Sequence, residues 1–150
     1  SAQQRGDLGR VLEIGTGCGY QAAVICGLAR SLVSIERIAG LHQLASERLR
    51  RWRDEAHPRL PLRLLHQDGR QGDPLQGPFD SIIAAAGGEA IPQAWLDQLA
   101  PGGRLVAPVQ QAGGGQLLTL VDHSQRGGRS EWRHSRHEAV AFVPLRSGLG

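Results

Sequence analysis

At 150 residues, with 17 Lys plus Arg against 14 Asp plus Glu, the chain has the length of one domain and a small net charge of +3. A chain of that size buries roughly 70% of its unfolded surface without help from disulfides or a structural metal, and Cys18 and Cys26 lack both the separation to clamp a long loop and the Cys/His spacing of a zinc site. No apolar run approaches the ~18 residues of a membrane span and no charged-then-apolar leader opens the chain, so the expectation is a reduced, cytoplasmic protein with no membrane partner and a monomer favoured.

Residues 1–10 are polar, carry Gly6 and Gly9, and read as a lead-in to a domain over residues 11–145, with 146–150 as a tail. The apolar residues 11–14 predict a first strand. Gly19 opens a helix expected to run to Arg30, whose Ala22, Ala23, Ile25, Cys26 and Ala29 allow close approach to a sheet. Leu32, Val33 and Ile35 make a second strand, and Leu41, Leu44, Ala45, Leu49 and Trp52 put one apolar face on a helix over 40–53, ended by His57-Pro58. Leu60 to Leu65 predict a third strand and residues 79–84 a fourth, separated by an irregular connection with Pro74, Gly77 and Pro78. A short helix over 91–99 is expected to stop at Pro101-Gly102-Gly103, before a fifth strand over 104–109. Beyond Gly113 the pattern changes to two strand-like stretches, 116–121 and 139–143, around a Gly127-Gly128 turn. The alternation predicts a doubly wound, Rossmann-like α/β fold, a mostly parallel sheet closed by an antiparallel C-terminal edge.

Within that frame, Val11-Leu12-Glu13-Ile14-Gly15-Thr16-Gly17-Cys18-Gly19-Tyr20 joins an apolar strand to a glycine-rich turn, and Glu36 follows 21 residues after Gly15 at the end of the next strand. This is the layout of an adenosine site: glycines let the backbone approach the ligand, and the acid accepts from ribose hydroxyls. A dinucleotide fingerprint wants its third glycine where this chain has the bulky Tyr20, which disfavours NAD and points to S-adenosylmethionine, with S-adenosylhomocysteine as product. Asp68 and Gly69 follow the third strand, where the carboxylate could accept from the adenine amine or, alternatively, make an Asx turn. Ala84, Ala85, Ala86, Gly87 and Gly88 would form a low wall at the methyl-transfer position, although an apolar strand terminus would look similar. The candidate cofactor-binding set is therefore Glu13, Gly15, Thr16, Gly17, Cys18, Gly19, Tyr20, Glu36, Arg37, Asp68, Gly69, Ala84 and Ala85. Cys18 reads as lining the pocket rather than as a nucleophile, the six histidines form no metal motif, and no catalytic residue is singled out.

Every basic residue is arginine, concentrated at 48–53 and 126–136. Guanidinium groups suit phosphates, so a nucleic-acid partner is not excluded. A solvated helix face and an exposed hairpin, diluted by Asp54, Glu55, Glu131 and Glu138, account for the same pattern.

The glycine turn with its Gln21-Ala22-Ala23 continuation resembles the protein-L-isoaspartate (D-aspartate) O-methyltransferase family. Ser34-Ile35-Glu36, His66-Gln67-Asp68-Gly69, Pro78 to Ile83, Ile91-Pro92 with Leu96 to Leu99, Pro101 to Val109, and Phe142-Val143-Pro144-Leu145 carry the resemblance through most of residues 11–145. It implies methyl transfer from S-adenosylmethionine to the free α-carboxylate of isoaspartyl residues in damaged proteins, with Gly15, Gly17, Glu36 and Asp68 holding the cofactor. It also implies an N-terminal helical segment and a Ser/Thr loop that cover the cofactor; only ten residues precede Val11 here, so the chain reads as a fragment, a truncated form or a relative without that substrate segment. The rival expectations are a methyltransferase acting on a small molecule or RNA, and a non-catalytic domain that keeps the adenosine fold.

Overall fold

The computed structural model describes residues 7–56 and 59–150. Strands β1 (Gly9–Ile14), β2 (Ala29–Glu36), β3 (Leu62–His66), β4 (Phe79–Ala84), β6 (Leu99–Gln110), β7 (Gln116–Arg126) and β8 (Arg129–Val140) form one sheet in the order β3-β2-β1-β4-β6-β7-β8. The ladders from β3 through β6 are parallel, and β6-β7 and β7-β8 are antiparallel. This is the doubly wound sheet with an antiparallel edge that the sequence predicts. A second, two-stranded sheet pairs β5 (Ala86–Gly87) with β9 (Val143–Pro144).

The period-two alternation of buried strands explains the two cores. Leu12, Ile14, Val33, Ile35, Ile82 and Leu105 face one way, where they pack with Phe79 and with Trp95 of helix α3 (Gln93–Asp97). Val11 and Leu32 face the other way, against Ala22, Ile25 and Cys26 of α1 (Tyr20–Cys26) and Ala45 and Leu49 of α2 (Ala39–Ala56). Each such side chain removed from water contributes about 1.5–3 kcal/mol. The same alternation puts Glu13 and Ser34, which are partners in the β1-β2 register, on the α1/α2 face.

Several element boundaries depart from expectation: the strand after the Gly127-Gly128 turn is β8, which begins at Arg129 and ends at Val140 rather than spanning 139–143, and two other departures have a local cause. The first helix ends at Cys26 rather than Arg30, because Gly27 caps it and Ala29 already pairs with Gly9. The helix before Pro101 occupies only residues 93–97, and Pro101-Gly102-Gly103 lies inside β6 rather than ahead of it. The parallel register jumps there, from Phe79 opposite Leu99 to Ser81 opposite Arg104. Gly102 has φ +80°, and a Cβ at Gly103 would stand 2.7 Å from the Ala100 carbonyl oxygen, so the glycines accommodate an irregularity that alternation alone does not reveal. His57-Pro58, expected to end α2, lies outside the described residues.

Among the described residues no helix is long and apolar enough to cross a membrane.

Candidate functional site

The sheet's order reverses between β1 and β4, and ligands of open α/β sheets bind at the carboxyl ends of strands at such a point. A cavity of about 480 Å³ opens there, within the range of small-molecule sites. Ile14, Gly15 and Gly17 line it at the end of β1, residues 35–38 at the end of β2, Gly69 after β3, and Ala85 and Ala86 after β4. Leu41 and residues 143–146 complete the wall.

The turn is shaped by glycines at φ +93° (Gly15), +57° (Gly17) and +90° (Gly19), where any other residue is strained. It is tied to β2 by amides: Gly15 and Thr16 both donate to the Ile35 carbonyl, at 2.8 and 3.3 Å. Glu36, only 6% exposed, accepts from the Gly17 amide through Oε1 at 2.9 Å and from the Ile38 amide through Oε2 at 3.0 Å. One carboxylate thus fixes the turn after β1 relative to the start of α2. Each oxygen retains a lone pair for a further donor.

Six of the thirteen residues expected from the sequence line the cavity: Gly15, Gly17, Glu36, Arg37, Gly69 and Ala85. Gly19 packs against Leu49 and Ala45 of α2, and Ala84 is buried at the end of β4. Cys18 is exposed and Tyr20 is 77% exposed, and neither is among the residues that line the cavity. The left-handed glycines on either side of Cys18 set the path of the turn, which alternation along a strand does not describe. Thr16 is buried, its hydroxyl 2.6 Å from that of Ser34. Asp68 makes the Asx turn: Oδ1 accepts from the Arg70 amide at 2.9 Å, capping the 3-10 turn Gly69–Gln71, and Oδ2 accepts from the Gly148 amide at 3.0 Å.

Glu13 does not reach the cavity lining. It is fully buried, accepts from Ser34 Oγ at 2.5 Å through Oε1, and has no partner for Oε2. Burial pushes its carboxyl up to about 7, against the pull of Ser34 and Gln21, with Glu36 adding to the rise. Burial likewise pushes the Cys26 thiol up to about 11, so it stays protonated and inert.

Ala86, expected in the low wall after the fourth strand, lines the cavity, and the lining residues given no role in the sequence reading are Ile14, Ile35, Ile38, Leu41 and residues 143–146. Ala86 opposite Val143 and Gly87 opposite Pro144 carry the last segment back to the switch point, and Leu145 donates to the Gly87 carbonyl at 2.8 Å. A two-residue parallel ladder between distant segments leaves no periodic signal.

The model of the family described as protein-L-isoaspartate(D-aspartate) O-methyltransferase matches residues 6–150. The chain belongs to that family. Its curated relatives include a protein-L-isoaspartate O-methyltransferase from Leptothrix cholodnii, 58% identical over 94% of this chain and 47% of that protein. A second, from Methylibium petroleiphilum, is 52% identical over 97% of this chain and 52% of that protein. The chain thus spans about half the length of the curated relatives it matches. A solved protein-L-isoaspartate O-methyltransferase superposes with TM-score 0.81 at 26% identity, covering 97% of this chain and 45% of that one. A candidate protein-L-isoaspartate O-methyltransferase from Plasmodium falciparum, in complex with S-adenosyl-L-homocysteine, shares the fold with TM-score 0.75 at 22% identity, covering 98% of this chain and 72% of that one.

Proposed function

We propose that the protein of which this chain is part transfers a methyl group from S-adenosylmethionine to the free carboxylate of L-isoaspartyl or D-aspartyl residues in damaged proteins, in the cytoplasm. The observation that carries the reading is a glycine turn pinned to Glu36 over a switch-point cavity, in a chain whose family is defined by that reaction.

The cavity's residues fit the cofactor. Gly15 and Gly17 place bare backbone on the lining, and Glu36 offers acceptor capacity to ribose hydroxyls. Gly69 keeps the floor open, since a Cβ there would stand 2.7 Å from Ile14 Cγ2. Ile14, Ile35, Ile38 and Leu41 supply apolar contact for a base. When bound, S-adenosylmethionine supplies an electrophilic methyl on a cationic sulfur. No base is required of the protein, because an acceptor carboxyl near pKa 4 is already ionised at neutral pH. The residues therefore act by alignment, with the apolar segment 143–145 contributing wall beside Ala86, its strand partner.

The reading is tested by incubating the protein with methyl-labelled S-adenosylmethionine and an isoaspartyl peptide beside its aspartyl twin. Selective, base-labile label on the isoaspartyl peptide is expected. Equal labelling of both peptides, or label only on RNA or a small molecule, would overturn the substrate assignment.

A further inference from the structure

Glu13 is the second acid of the glycine-turn motif, yet it faces the α1/α2 side, away from the cavity lining. Its contacts form a chain. Ser34 Oγ donates to Glu13 Oε1 at 2.5 Å, and Thr16 Oγ1 lies 2.6 Å from Ser34 Oγ. A serine hydroxyl has one proton; with that proton committed to the carboxylate, the Thr16 hydroxyl must be the donor to Ser34. Both hydroxyls thus point toward the charge, and the far end of the chain is a residue of the turn itself, between Gly15 and Gly17. The carboxylate's other oxygen is buried with no partner at hydrogen-bond geometry, as is the side-chain nitrogen of Gln21, whose amide favours the charge without satisfying that oxygen. Such an atom is costly when charged and is relieved by a proton.

We propose that Glu13 is a positioning residue: through the hydroxyls of Ser34 and Thr16 its charged carboxylate clamps the glycine turn onto β2 in the ligand-binding form, and protonation slackens that clamp, so that adenosyl-ligand binding depends on pH. The proposal rests on the reading of the cavity as an adenosyl site. With the carboxylate charged, the Ser34 link is charge-assisted, roughly twice as strong as a neutral one, and the Thr16–Ser34 link is polarised in the same direction and strengthened more modestly. Protonation removes the charge that strengthens the Ser34 link, and with the proton on Oε1 Glu13 donates to Ser34 instead, so the chain is no longer held in one direction and the fixed demand on Thr16 is lost. The groups facing Glu13 are Ser34 and Glu36 from β2, Gln21 and Cys26 from α1, and apolar Ile83 opposite it on β4; Arg53 of α2 acts on Cys26. Of these, Glu36 opposes the charge and Ser34 and Gln21 favour it. Burial outweighs them all and, with Glu36 adding to it, raises the carboxyl to about 7 against Ser34 and Gln21.

The test is titration calorimetry of S-adenosylhomocysteine binding between pH 5.5 and 8.5, in buffers of differing ionisation enthalpy. Affinity is expected to rise about five- to tenfold through neutrality, with protons released on binding near pH 7. Glu13→Gln, isosteric with the protonated form, should bind with a flat profile and no linked proton release; Ser34→Ala should also flatten the profile by cutting the chain while leaving Glu13 in place. Binding with a flat wild-type profile, or an inflection that survives Glu13→Gln, overturns the proposal alone. Absence of binding at every pH overturns the adenosyl reading and the proposal with it.

Discussion

Glu36 and Glu13 stand on successive strands of the same sheet and meet opposite fates. Glu36 is nearly buried but has a backbone amide on each oxygen, whereas Glu13 has one hydroxyl and an orphaned oxygen. Replacing Glu36 with Ala frees the Gly17 and Ile38 amides and removes the hydroxyl acceptor. S-adenosylhomocysteine affinity is expected to fall about 100-fold, as suits the loss of hydrogen bonds to a charged group, and a variant with unchanged affinity by equilibrium dialysis would refute the role. For Glu13 the linkage runs against stability. Its folded pKa of about 7 lies above the ordinary carboxyl value of 4.5, so the native state binds more protons in that window and stability falls as pH rises through it, levelling above 7. The difference corresponds to about 3 kcal/mol. Urea unfolding at pH 4.5, 6 and 8 should show that decline, and Glu13→Gln should remove this group's share; an unaltered pH profile in the variant would count against it. The sequence announced both acids, because the motif and the strand-end spacing are local. It could not say that Glu13 faces the helices, since the outcome depends on which face each helix covers, nor that Gly148 would occupy the Asp68 carboxylate, a contact between segments 80 residues apart.

At the scale of elements, the strands were legible wherever apolar residues ran unbroken between turn signals: β4 matches its expected range, and β1 and β2 differ only in their starts. The misreadings occur where a glycine serves a tertiary purpose. Pro101-Gly102-Gly103 is a helix stop by local rules, but these residues continue into β6, where Gly103 passes close to the Ala100 and Asp80 carbonyls. Helix α3 is only five residues long and owes its place to Trp95, which is 1% exposed and donates through Nε1 to the Gly69 carbonyl at 2.8 Å. That bond joins the helix to the floor of the cavity. Trp95→Phe keeps most of the volume but removes one of the two donors to the Gly69 carbonyl, leaving the Gly72 amide at 3.1 Å, an expected loss of about 1 kcal/mol. Gly69→Ala should cost about 1–3 kcal/mol by overpacking against Ile14, and should also narrow the cavity. Thermal unfolding with and without S-adenosylhomocysteine separates the two: the ligand should stabilise Trp95→Phe nearly as well as wild type, and Gly69→Ala much less.

Across the whole molecule, β8 is the sheet's outer strand, and all of it except Val140 is exposed. A long exposed edge invites pairing with another copy unless charge prevents it. Arg129, Arg133 and Arg136 provide that charge; Arg133 is 3.7 Å from Asp122, itself held by Arg104, but with 84% of its side chain exposed that pair contributes little to stability. Replacing the three arginines with Thr is expected to produce concentration-dependent self-association in light scattering without loss of folded signal; a monodisperse variant would refute the edge role. Both arginine clusters were visible in the sequence, but the place of the second, 126–136, at the sheet edge became visible only once the strand order was known, while the first lies on α2. The cavity, too, is a property of the whole chain, since its walls come from residues after β1, β2, β3 and β4 and from 143–146, which pair with β5. During synthesis the glycine turn emerges long before its opposing wall, by on the order of ten seconds at about 5–20 residues per second. A growing chain therefore exposes half of a ligand site while it waits. Retention of an adenosyl ligand on stalled ribosomes should begin only when the segment through Arg146 has cleared the exit tunnel, so that occupancy would report completed translation of the site.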